Sequence, residues 1–97
     1  MLNKKDKYYL RNKANALKPI VIIGKDGLTS NTIASINDVL RTKELIKISI
    51  LKTFNGLEKK ELAELIASTT NSEVILVIGR VIVLYRKNVE INAYGIK

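Results

Sequence analysis

Apolar residues repeat along the chain at two periods, and the changes of period mark the elements. Leu10, Ala14 and Leu17 are spaced by four and three, which is one face of a helix over residues 4–17. Pro19 stops this helix and pushes Lys18 toward extended geometry. Residues 20–23, Ile-Val-Ile-Ile, are a β-branched run bounded by Gly24, and they read as a strand buried on both faces. The loop Gly24-Lys25-Asp26-Gly27 follows. A second helix is predicted over 30–42. Thr29 is a good N-cap, because its hydroxyl can accept from an unpaired first-turn N–H. Leu28 and Ile33 have the spacing of a hydrophobic staple, and Ile33, Ile36, Val39 and Leu40 make the buried face.

Residues 45–51 alternate: Ile46, Ile48 and Ile50 face one way, Lys47 and Ser49 the other. That pattern predicts a half-exposed strand. Phe54-Asn55-Gly56 turns the chain. Residues 58–69 predict a third helix, with Leu62, Leu65, Ile66 and Thr69 inward and Lys60 and Glu64 as an outward i,i+4 pair. Residues 74–78 and 81–85 are two strong strands separated by Gly79-Arg80, and a two-residue loop with Gly first suits a type II′ hairpin. No period is readable after Lys87, so 88–97 reads as a tail on a core of about residues 5–87. No repeat or linker divides the chain, and 1–97 reads as one domain. The order α-β-α-β-α-β-β predicts an α/β fold, a mixed sheet with helical cover in which the last two strands pair.

Composition narrows the chemistry. The 97 residues include no cysteine and no histidine. Disulfides, Cys-based zinc sites and thiol catalysis are excluded, and so are the commonest general base at neutral pH and the commonest transition-metal ligand. No apolar run approaches the roughly 18 residues of a membrane span. The basic N-terminus lacks the apolar stretch of a signal peptide, so a cytoplasmic location is expected. Seventeen Lys and Arg against nine Asp and Glu give a net charge of +8. Such an excess favours an anionic partner. It is segregated: residues 1–18 carry Lys4, Lys5, Lys7, Arg11, Lys13 and Lys18 against Asp6 alone, and residues 41–60 carry six bases against Glu44 and Glu58. Lys4, Lys7, Arg11 and Lys18 share a narrow arc of the first helix, and a folded domain could bring the two basic segments onto one face.

The candidate chemistry sits in the loop. Gly24 and Gly27 allow positive φ and close backbone approach. The next helix presents unpaired first-turn N–H groups at the positive end of its dipole, and Lys25 adds a charge at the tip. G-x-x-G loops of KH-type RNA binders clamp nucleic-acid backbone by the same means. The Gly-Lys-Ser/Thr ending of a P-loop is missing.

The flanks extend the signal. Leu10-Arg11, Ala14, Leu17-Lys18-Pro19 and Ile23-Gly24-Lys25-Asp26-Gly27-Leu28-Thr29 stand in order. Glu44-Leu45-Ile46-Lys47-Ile48, Val77-Ile78-Gly79 and Val83-Leu84-Tyr85-Arg86 follow. Over about Lys5 to Arg86 the chain resembles the CRM domain, also called the YhbY-like RNA-binding domain. The family usually has His where Asn15 stands, and commonly His where Lys43 stands. No imidazole role carries over to those positions, although Lys43 keeps a positive charge.

The resemblance implies a four-stranded sheet with three helices, similar to the C-terminal domain of bacterial translation initiation factor three. Stand-alone bacterial members of the family associate with precursors of the large ribosomal subunit, and plant organellar relatives act in group II intron splicing. A chain of this length is similar to the bacterial type. The implied function is non-catalytic binding of ribosomal RNA during subunit assembly, by a monomer without cofactor, metal, membrane or small-molecule substrate. Gly24, Lys25, Asp26, Gly27, Leu28 and Thr29 would hold the RNA backbone. Lys7, Arg11, Lys18, Lys47 and Arg86 would supply counter-charge.

Two rivals are weighed against this. A metal-dependent nuclease could work without His, but the nine carboxylates show no paired constellation, and Asp26 reads as a turn former. A protein-binding adaptor could use the half-polar strand 45–51 as an open edge for strand addition. Base stacking on the sheet has little support, because it needs exposed aromatics on adjacent strands.

Overall fold

The structure is a computed structural model that describes residues 2–96; Met1 and Lys97, the ends of the 1–97 span, lie outside the described residues. Its elements are α1 (Lys4–Ala14), β1 (Val21–Ile23), α2 (Ser30–Lys43), β2 (Leu45–Ile50), α3 (Lys59–Thr70), β3 (Glu73–Ile78) and β4 (Val81–Tyr85). This is the α-β-α-β-α-β-β order that the pattern predicts. The strands form one mixed sheet in the order β1-β2-β4-β3. β1 runs parallel to β2 with Val21 opposite Ile48, and β4 lies antiparallel to both β2 and β3. The predicted hairpin forms: Ile78 faces Val81, and Gly79 has φ +55° while Arg80 stays out of the left-handed region. Positive φ at the first loop residue alone is the type II′ pattern.

Each face of the sheet carries its own core. α2 and α3 cover one face through Ile36, Leu40, Leu62 and Ile66, packed on Ile23, Ile46, Ile48, Ile82 and Leu84. α1 and the C-terminal tail cover part of the other through Leu10, Ala14 and Ile96, on Leu45, Ile75, Val83 and Tyr85. A bulge between Val74 and Leu76 adds a residue to β3, so that Ile75 and Leu76 both lie on the side of this second core. The predicted cap of α2 is present, with the Thr29 hydroxyl accepting from the Thr32 N–H at 3.1 Å. Asn3 caps α1 in the same way, accepting from the Asp6 N–H at 2.7 Å.

Several expectations are corrected. α1 ends at Ala14 rather than at residue 17, because Asn15, Ala16 and Leu17 donate to carbonyls three residues back instead of four. Residues 20–23 are not buried on both faces. β1 is an edge strand that α1 does not reach, and Ile22 is 61% exposed. Residues 45–51 are not an edge, since β2 lies between β1 and β4, so strand addition to it has no free hydrogen bonds to use. The buried stripe of α3 is Leu62, Ala63, Ile66, Ala67 and Thr70, and Leu65 and Thr69 point outward. Two small alanines, not the larger Leu65, let the helix sit against the sheet. Lys60 and Glu64 do not pair; among the described residues the one side-chain ion pair is Arg41 with Asp38.

The tail, where the sequence shows no period, is held by a buried carboxylate. Glu44 is fully buried at the junction of α2 and β2, with φ +64°. Its Oε2 accepts from the Asn88 N–H at 2.8 Å and its Oε1 from the Ala93 N–H at 2.6 Å, while its backbone C=O accepts from Arg86. Tyr94 then meets Tyr85 edge-on at 6.5 Å. The Tyr85 hydroxyl is buried with no hydrogen-bond partner among the described residues. Burial pushes its phenol up to about 12, and the nearby Glu44 charge adds to the rise.

Two outcomes are expected. Glu44→Ala should lower stability by roughly 2–4 kcal/mol, because two hydrogen bonds to a charged group are removed. Glu44→Gly should lose about 1 kcal/mol less, since glycine alone is unstrained at positive φ. Denaturant melts measure both, and amide exchange should speed up over 88–96. For Tyr85, a raised folded-state pKa means its contribution is complete below pH 10 and is lost as pH climbs from 10 toward about 12. Tyr85→Phe should lessen the alkaline fall in stability and be at least as stable as the parent at neutral pH, because it removes an unpartnered hydroxyl.

Candidate nucleic-acid interface

The loop after β1 is shaped by what lies beneath it. The Gly27 N–H donates to the Gly24 C=O at 3.0 Å, closing the turn. Gly27 has φ +67°, whereas Gly24 does not use the left-handed region. A Cβ on Gly27 would sit 3.4 Å from the Phe54 ring, so the ring supports the loop from below. Leu28 turns inward onto the main core. Lys25 and Asp26 are left exposed at the tip. Thr29 takes the Thr32 N–H with its hydroxyl and the Ile33 N–H with its carbonyl. The Ser30 and Asn31 amides of the first turn remain to face an anion.

The strand directions bring more charge to this end. Because β1 and β2 are parallel, the connections that follow them leave from the same end of the sheet. The β3–β4 turn is there too, with the Ile50 N–H donating to the Arg80 C=O at 2.7 Å. Lys25, Lys52, Lys59 and Arg80 therefore gather with the N-termini of both α2 and α3. A cavity of about 380 Å³ lies between Phe54, Lys59 and Arg80. The Glu58 side chain at its margin is engaged as the α3 cap, accepting from the Lys60 N–H at 3.2 Å. Lys52, Lys59 and Arg80 are absent from the sequence-derived candidates. The signal that could have found them is positional, since each lies within two residues of a strand or helix end that parallel pairing places beside the glycine loop.

The remaining candidates lie elsewhere. Lys7 and Arg11 belong to α1, across the sheet from α2 and α3. Lys18 precedes β1 whereas Lys25 follows it, a separation of roughly 20 Å at strand rise. Lys47 is half-buried, and its Nζ donates to the Leu17 C=O at 3.0 Å. Arg86 lies on the opposite side, between α2 and α3. Its guanidinium donates to the Asn37 side chain at 2.9 Å, the Asn37 C=O at 2.9 Å and the Thr70 C=O at 2.7 Å. The two basic segments thus meet only in part, where Lys18 stands beside Lys43 and Lys47 and away from the glycine loop, and Arg86 clamps two helices together.

Fold and loop together define a small α/β domain that presents backbone amides and lysines at one end of its sheet. The chain belongs to the CRS1 / YhbY (CRM) domain family, whose model matches residues 2–86. It is 39% identical over 90 residues to the Bacillus subtilis protein named "Probable RNA-binding protein YqeI", covering 93% of each chain. It is 33% identical over 89 residues to a Haemophilus influenzae protein named "RNA-binding protein", covering 92% of this chain and 89% of that one. The solution structure of a hypothetical protein from Staphylococcus aureus is similar with a TM-score of 0.77 and 46% identity, over 91% of both chains.

The positions of Lys25 and Arg86 predict opposite responses. Arg86→Leu should cost about 2 kcal/mol, because hydrogen bonds from a charged donor are removed. For a domain of this size that is on the order of 10 °C in Tm. Lys25→Ala should stay within about 0.5 kcal/mol of the parent. Thermal melts of the two variants check this.

Proposed function

We propose that this protein binds RNA, and that its RNA is ribosomal RNA in precursors of the large subunit. The observation that carries the reading is the convergence, at one end of the sheet, of the glycine loop, two helix N-termini and four basic side chains. Amides at a helix start donate to phosphate oxygens without reading sequence, and the lysines add long-range attraction. Family membership and relatives named as RNA-binding proteins support the same reading. The step to ribosomal precursors rests on the resemblance to stand-alone bacterial members.

The protein acts by binding rather than by catalysis. With no histidine or cysteine in the chain, acid–base chemistry would fall to carboxylates, lysines and tyrosines. Glu44 and Glu58 are engaged in capping and tail-holding, and Asp26 stands exposed at the loop tip without a second carboxylate beside it in sequence. In this reading the protein works in the cytoplasm as a monomer, with no cofactor.

Two measurements test the proposal. On a lysate gradient the protein should co-sediment with precursor large subunits; a position confined to free protein at the top would refute the ribosomal assignment. In RNA titrations the logarithm of affinity should fall linearly with that of salt. Replacing both Lys25 and Lys52 by Ala should make the slope shallower by about 0.7–0.9 for each phosphate no longer neutralised. An unchanged slope would remove this end of the sheet from the interface.

A further inference from the structure

A second feature lies at the other end of β1. The connector between α1 and β1 runs beside the start of β2, with the Ile20 N–H donating to the Lys47 C=O at 3.0 Å, and a cavity of about 200 Å³ lies next to this tie. Leu17, Ile20 and Leu45 supply its apolar surface, and Lys18, Lys43 and Lys47 stand around it. No carboxylate contributes to the lining. Ile20 is 43% exposed, so part of this surface faces the opening. Lys47 forms a fixed wall, since its Nζ donates to the Leu17 C=O at 3.0 Å and keeps two further N–H groups free to donate. Lys18 and Lys43 are exposed.

Apolar surface and three ammonium groups make opposite demands on an occupant. An inorganic anion would satisfy the lysines and leave the apolar atoms facing water. An aliphatic group would satisfy the apolar surface and leave the lining lysines without a counter-charge. A nucleotide meets both demands, with a flat base against the side chains of Leu17 and Ile20 and its phosphates toward Lys18 and Lys43. Lys18 and Lys25 also bracket β1, which gives one strand of phosphates two points of attachment roughly 20 Å apart. We infer that this cavity seats a single unstacked nucleobase of an RNA strand whose backbone is held at the glycine loop. The inference rests on the RNA-binding reading above and adds base recognition to it. It needs no exposed aromatic, because the base lies against aliphatic side chains.

The test uses the full chain and a short single-stranded oligouridine, with an abasic oligonucleotide of the same length as control. Ile20→Ser should weaken oligouridine binding about fivefold, at the low end of what one seated base contributes, and leave abasic binding and the salt slope unchanged. Ile20→Leu should restore parental affinity. Lys18→Gln and Lys43→Gln should each flatten the salt slope by about 0.7. Thermal melts confirm that each variant is folded. Oligouridine carrying 4-thiouridine should crosslink to residues 17–20 or 43–47. If Ile20→Ser binds oligouridine like the parent, the pocket assignment is wrong while RNA binding stands. If it weakens the abasic control equally, no base is seated there. If the parent binds neither oligonucleotide yet binds ribosomal RNA, the pocket assignment falls alone; if it binds no RNA at all, the RNA-binding reading fails as well. Self-association of the free protein that Ile20→Ser abolishes would assign the pocket to a second copy and overturn the inference.

Discussion

The parallel pairing of β1 with β2 is the constraint on which the rest of this molecule depends. Antiparallel neighbours could be joined by a tight turn, whereas parallel ones need a crossover. α2 is that crossover, so it must start where β1 ends and finish where β2 begins. Its N-terminus is thereby fixed at the end of the sheet that carries the glycine loop. α3 follows from the same end of β2 and brings its own N-terminus there. The anion-facing character of this end is a consequence of strand direction before any side chain is considered.

The opposite end is closed by polar ties. Glu44 sits in a backbone conformation that disfavours a side chain, and what it gains is a carboxylate placed to accept two tail amides. Arg86 leaves β4 on the next stretch of chain and clamps α2 to α3 through three acceptors. Both residues are half or fully removed from water and both have their charge matched by hydrogen bonds, as burial of a charge requires. One charged residue holds the tail and the other holds the helix layer, and neither is free to act as a diffuse surface charge. This leaves the long exposed lysines at the loop end and around the connector to meet a partner.

Binding of this kind works by position. The glycine loop is packed at Phe54 and Leu28 and exposed at Lys25 and Asp26. It can present amides to phosphate while the α2–α3 core supports it from beneath. The apolar lysine-rimmed pocket at the far end of β1 extends the same surface along an edge strand that no helix covers on its α1 side.

The local sequence determined the element order, the Thr29 cap, the Gly79-Arg80 hairpin and the glycine loop, because each depends on residues close together in the chain. Thr29 needs only the amide three residues on, and Gly79 needs only its own freedom at positive φ. Composition likewise removed thiol and imidazole chemistry without reference to any fold. The tertiary structure alone decided which strand is an edge. Residues 20–23 and 45–51 have patterns that suggest the reverse of their true places, because burial of a strand is set by its neighbours and not by its own alternation. The same holds for charge. Arg86 and Lys25 are equally basic in the sequence, yet acceptors brought from α2 and α3 occupy one and leave the other in water. Lys52, Lys59 and Arg80 join the candidate interface only through the parallel pairing of β1 and β2. That pairing is a long-range contact between segments whose local sequences do not encode each other's direction.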